Sequence, residues 1–82
     1  QSRQKLSFKE KHDLETLPAL LDKLAAQIDK FSAELADPNL YSRDPERFAK
    51  LTAAIAKRQS EKDAAEERWL ALEMKREELE AG

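Results

Sequence analysis

Leu14, Leu17, Leu21, Leu24, Ile28, Phe31 and Leu35 follow one another at alternating intervals of three and four residues, without a miss. That spacing puts all seven on one narrow strip of an α-helix, an a/d seam that another helix must cover. The same chain supplies the cover. Phe48, Leu51 and Ile55, then Trp69, Leu72 and Leu79, keep the register further on, and between them it lands on Arg58, Lys62 and Ala65. The expected fold class is therefore all-α, a two-helix antiparallel coiled-coil hairpin.

Punctuation in the sequence sets the boundaries. Ser7 followed by Glu10 has the form of a capping box, in which the Ser hydroxyl and the Glu carboxylate each satisfy the other residue's amide. The first helix should stop at Ala36, because Asp37 precedes Pro38 and a residue before proline avoids the helical region. Asp44-Pro45-Glu46 reads as a new start, with Asp at the N-cap, Pro at the first position and Glu in the first turn. These signals predict a domain over residues 7–79: a helix over 7–36, a loop over 37–43 and a helix over 45–79. Residues 1–6 read as a linker remnant and 80–82 as a fraying end.

Two irregularities are expected. Pro18 interrupts the first helix at a cost of about 3 kcal/mol, which predicts a kink or a 3₁₀ turn near residues 14–18. With the turn centred between Tyr41 and Ser42, facing residues should have numbers totalling about 83, which sets Leu35 by Phe48, Ile28 by Ile55 and Leu14 by Trp69. Trp69 then reads as a ring filling space beside Pro18. Arg58 and Lys62 leave the middle of the second helix poor in apolar groups, and their stems should lie over Leu21 and Leu24 with the charges in water.

The composition excludes several classes of function. Of 82 residues, 39% are charged, one is His and none is Cys, so neither a disulfide framework nor a Cys- or His-based metal site can be built. No apolar run nears the roughly 18 residues of a membrane span. There is no Gly-rich phosphate loop and no nucleophile beside a second His, and His12 reads as an exposed structural residue. Neither catalysis, nor a cofactor, nor a metal is expected of this chain.

Charge distribution is more informative than the net value of −2. Residues 1–12 come to +3, 13–37 to −4, 38–58 to +3 and 59–82 to −4. In a hairpin the basic N-terminal stretch lies beside Glu73, Glu77, Glu78 and Glu80, which should neutralise it. The basic segment near the turn has fewer acidic neighbours. Arg43, Arg47 and Lys50 follow i, i+4, i+7 spacing, with Lys57 one heptad beyond, and form the candidate nucleic-acid-binding stripe. Leu40 and Tyr41, at the turn, either close the end of the core or touch a partner protein.

Four stretches carry a family resemblance: Lys5-Leu6-Ser7-Phe8-Lys9-Glu10-Lys11, Leu14-Glu15-Thr16-Leu17-Pro18, Leu35-Ala36-Asp37-Pro38-Asn39-Leu40-Tyr41 and Glu67-Arg68-Trp69-Leu70-Ala71-Leu72-Glu73. In this order and spacing the chain resembles the C-terminal domain of the Uup-type ABC-F ATPases of bacteria, from residue 5 to about residue 79. The resemblance implies a helical hairpin belonging to a cytoplasmic protein with two ATP-binding cassettes. It also implies an association with nucleic acid, DNA foremost, and the few phosphates that the basic stripe can meet make the expected binding weak, sequence-independent and salt-sensitive. Ribosomal components or the protein's own cassettes are the alternative partners, and a monomer is expected of the isolated chain. The Walker motifs are not in this stretch, so ATP hydrolysis would belong to other parts of such a protein.

Overall fold

The structure is a computed structural model, and it describes residues 5–81. Three helices occupy them: α1 over Phe8–Leu35, α2 over Leu40–Arg43 and α3 over Pro45–Ala81. No strand occurs among the described residues, as an all-α reading requires. α1 and α3 pack side by side along an elongated body of 64 × 16 × 15 Å. Its radius of gyration, 18.4 Å, far exceeds the ~12 Å of a compact domain of this length.

Cross-helix pairs fix direction and register. Glu34 meets Arg47, Gln27 meets Arg58, Asp13 meets Arg68 and Glu10 meets Lys75. Numbers rise along one helix as they fall along the other, so the two run antiparallel. The totals alternate between two below and two above the expected value of about 83.

The start of α1 obeys its capping box: Ser7 Oγ accepts from the Glu10 amide at 3.1 Å, and Glu10 Oε1 accepts from the Ser7 amide at 2.8 Å. Asp44 caps α3 by accepting the Arg47 amide at 3.0 Å, with Pro45 as the first helical residue. The connection differs from the expected loop over 37–43. Asp37 turns the chain by accepting the Asn39 amide at 2.9 Å, and Leu40–Arg43 then coil into α2. Asp44, at φ −150° and ψ 78°, breaks α2 from α3 because it precedes a proline. α3 also runs two residues beyond 79, to Ala81. Residues 1–4 of the expected linker remnant and residue 82 lie outside the described residues.

Pro18 lies inside α1, and the helix is α-helical at the proline and on both sides of it. Of the kink or 3₁₀ turn expected near residues 14–18, the 3₁₀ turn does not form. Pro18 is exposed, so the strip that loses a backbone donor faces water. Tightening the helix would instead rotate Leu14, Leu17 and Leu21 off the seam, where all three are partly covered.

The fully buried core is small: Leu24, Leu40, Leu51, Ala65 and Leu72, with no buried polar or charged residue among those described. Arg58 and Lys62 are half-buried at the thin middle. Their heads do not simply reach into water. Arg58 Nε donates to Gln27 Oε1 at 2.8 Å, and Lys62 Nζ meets Glu66 at 3.0 Å.

Candidate nucleic-acid interface

The six residues singled out near the turn meet different fates. Leu40 is buried, with 4% of its surface exposed, and closes the end of the core. Tyr41 remains 65% exposed and presents its ring at right angles to Phe48, with centroids 5.2 Å apart. Arg43 pairs with Asp37 at 3.0 Å. Arg47 grips Glu34 with two donors, Nη2 to Oε1 at 2.7 Å and Nε to Oε2 at 3.1 Å. Lys50 and Lys57 are exposed and form no ion pair among the described residues.

The stripe is therefore redistributed. Arg43 belongs to α2, and the break at Asp44 removes it from the face that Arg47, Lys50 and Lys57 share on α3. The i, i+4 relation between Arg43 and Arg47 holds in number but not in space. Glu34 escaped the sequence reading because it belongs to the other helix. It sits across from Arg47, and the expected total of about 83 would have placed it within reach. Arg47 holds the Glu34 carboxyl below the usual carboxylate range, and Glu34 in turn raises Arg47. The amide of Asn39, then Arg43, does the same for Asp37.

Near the N-terminus Lys5 and Lys11 border one groove with Glu73 and Glu80, as expected, but the ion pairs across the helices there have the opposite polarity. There α1 supplies acid and α3 supplies base: Glu10 binds Lys75 at 3.0 Å and Asp13 binds Arg68 at 3.1 Å. Arg76 closes on Glu73 and approaches Glu80. Both α1 carboxyls lie below their ordinary values, Glu10 chiefly through the Ser7 amide and Asp13 chiefly through Arg68.

A basic face emerges where these pairs are drawn on the helices. Lys23, Gln27, Lys30 and Glu34 follow i, i+4, i+7, i+11 on α1, and Arg47, Lys50, Ala54 and Lys57 follow i, i+3, i+7, i+10 on α3. Glu34 meets Arg47 across the seam, so both rows border the same flank of the helix pair. Lys23, Lys30, Lys50 and Lys57 are all exposed, and no ion pair among the described residues involves any of them. Within each row the two lysines are one heptad, about 10 Å, apart along the axis. The antiparallel register staggers the rows, so the four ammonium groups alternate over roughly 15 Å of length. Lys23 and Lys30 were missed because they lie in a segment with a net charge of −4.

Among the described residues, no cluster of side chains suits a metal ion, and no helix is long and apolar enough to cross a membrane.

A long antiparallel helix pair with one lysine-rich flank defines an accessory helical domain, and comparison gives its family. The chain belongs to the ABC transporter C-terminal domain family, whose model matches residues 5–74. Among curated proteins it is similar to the ATP-binding protein Uup of Escherichia coli (strain K12), with 38% identity over 72 residues. That match covers 88% of this chain and 11% of Uup, so the chain spans about a tenth of that relative's length. No solved structure matches it.

Proposed function

We propose that the chain is the non-catalytic C-terminal domain of a cytoplasmic ABC-F ATPase, and that it holds nucleic acid, duplex DNA foremost, weakly and without reading its sequence. The observation that carries this reading is the four-lysine flank, in which no lysine is held in an ion pair among the described residues that a phosphate would have to displace. ATP binding, which names the relative, is assigned to other parts of a longer protein, since this chain has one Gly and no phosphate loop. In the same reading α1 and α3 form a coiled-coil hairpin with a bend at Pro18, and the chain is a monomer.

Fluorescence anisotropy with a labelled duplex tests it. Four lysines release about as many counterions, so affinity should fall roughly 100-fold between 50 and 200 mM salt. Reversing Lys23, Lys30, Lys50 and Lys57 to Glu should remove binding at low salt. Reversing Arg43 and Arg47, already held by Asp37 and Glu34, should weaken it far less. Binding that survives the four-lysine reversal would refute the assignment.

A second reading, a protein-contact arm for ribosomal components or the protein's own ATPase cassettes, rests on Tyr41 alone, exposed at the turn. Pull-downs with Tyr41→Ser separate the two, since that change leaves every lysine in place. Leu40→Ser does not serve, because Leu40 belongs to the core.

A further inference from the structure

Arginine and lysine play different parts in this chain. Arg43, Arg47, Arg58, Arg68 and Arg76 are the arginines of the described residues, and each is held within the chain, Arg58 by the Gln27 amide oxygen and the others by carboxylates. A guanidinium so occupied is not free to read a guanine edge or to stack on a base. The cations left on the basic flank are Lys23, Lys30, Lys50 and Lys57, point charges on flexible stems. Aromatic rings are missing from that flank as well. Phe31, Phe48 and Trp69 are partly covered on the seam, Tyr41 packs on Phe48 at the turn, and Phe8 stands about 22 Å along α1 from Lys23.

The four lysines form two rows with the seam between them, one on α1 and one on α3. Packed helices keep their axes about 8–10 Å apart, and both rows lie outside the seam, so they stand at least that far apart. The major groove of a duplex, about 12 Å wide, is of the same order. Along the body the charges alternate between the helices, in the order Lys50, Lys30, Lys57, Lys23, at steps of about 5 Å. Their full length of roughly 15 Å corresponds to about four to five base pairs. On α1 the neighbouring row is acidic: Glu15, Asp22 and Asp29 recur every seven residues, about 100° round the helix from the lysines, and none is in an ion pair among the described residues. Phosphates are thereby repelled from the outer face of α1 and drawn over the seam. On α3, Glu61 lies one turn beyond Lys57 and closes the patch.

We infer, building on the nucleic-acid reading of this flank, that it straddles one groove of a duplex, with Lys23 and Lys30 on one strand and Lys50 and Lys57 on the other, and that it discriminates against single strands. Unselective single-strand binders stack successive bases on aromatic rings and on arginine. This flank has no ring and no free arginine, so charge is what it can offer. Charge favours the duplex, which carries one phosphate per ~1.7 Å of axis, twice the density of either strand alone. A lone strand can follow one row, but it must cross the seam at every step to meet both. Two backbones held a groove apart meet both rows at once.

The test is fluorescence anisotropy in low salt with a labelled mixed-sequence DNA duplex and with its labelled strand alone, circular dichroism confirming that every variant stays helical. The duplex should bind at least tenfold more tightly than the strand. K23E/K30E and K50E/K57E remove one row each. Either should weaken duplex binding at least tenfold and bring it down to the level of the single strand. Glu61→Gln, which takes away the carboxylate at the edge of the patch, should tighten the duplex severalfold. Single-strand binding as tight as duplex binding would overturn the inference, as would duplex binding that one row supports unaided. If either result came with binding still lost on reversal of all four lysines, the flank would stand as a nucleic-acid interface and the straddled groove would fall. Binding that survives reversal of all four, or no binding to either probe, would overturn both.

Discussion

At the turn, Leu40 and Leu51 are buried and Phe48 meets the edge of Tyr41, whereas at the open end Phe8, Leu70 and Met74 stand in solvent. Both ends draw on the same residue types, and the difference lies in connectivity. The turn brings a third short helix over the seam, so apolar groups there find a cover within the chain. At the other end no comparable element lies over the seam among the described residues. Arginines show the same contrast in a different form: at the turn they are locked to Asp37 and Glu34, and the unpaired lysines lie further along the body. The turn serves to hold the helices in register, while the unpaired lysines and the exposed large apolar side chains other than Tyr41 lie on the flanks and at the open end.

The largest expected effects test that division of labour. Leu51, 2% exposed, should cost about 3 kcal/mol when changed to Ala, as a well-packed leucine does. Leu70→Ser, at an exposed position, should stay within about 0.5 kcal/mol of the parent. Urea unfolding of both variants measures the difference, and equal losses would abolish the contrast between the two ends.

Pro18→Ala should act in the other direction. The proline is exposed and inside a continuous helix, so restoring its backbone donor should raise stability by about 1–3 kcal/mol. A loss instead would mean that the proline sets a shape α3 requires. Ser7→Ala removes the hydroxyl side of the capping box and should cost about 1 kcal/mol. That loss should appear as faster amide exchange in the first turns of α1, leaving Leu51 and its neighbours protected.

Much of this was legible in the sequence because it is local or periodic. The unbroken seam from Leu14 to Leu35 required a partner helix, and Ser7, Asp44 and Pro45 marked helix starts through side chains only a few residues away. The short helix α2 was hidden, since four residues between two prolines carry no periodicity. The ion pairs were hidden for a different reason: Glu34 with Arg47 and Asp13 with Arg68 depend on register across the seam rather than on spacing within a helix. The basic flank combines both problems. Its four lysines come in two pairs from opposite strips, and summing charge along the chain assigns Lys23 and Lys30 to an acidic segment.

The smallest expected effect concerns acid, and it bears directly on the two ends. Glu10 and Asp13 at the open end, and Glu34 and Asp37 near the turn, all lie below their ordinary carboxyl values in the folded chain. A carboxyl lowered by folding binds fewer protons in the folded than in the unfolded state, so its contribution is complete above the ordinary value and shrinks as pH falls through the folded one. Stability should therefore be level near neutrality and decline below about pH 4.5. Glu34 and Asp37 are more open to solvent than the half-buried Glu10 and Asp13, but none is fully buried, so the decline should be shallow and should weaken further in high salt. The open end should yield first. Glu10 and Asp13 hold helix termini that no turn ties together, whereas Glu34 and Asp37 flank a covered core. Amide exchange followed from pH 6 to pH 3 should show α1 residues 8–15 losing protection before residues 31–35. Glu10→Gln with Asp13→Asn should flatten that early phase and leave the later one intact. If protection near the turn went first, the ion pairs of Arg43 and Arg47 would be what holds the helix pair closed, and the turn would be its weak end.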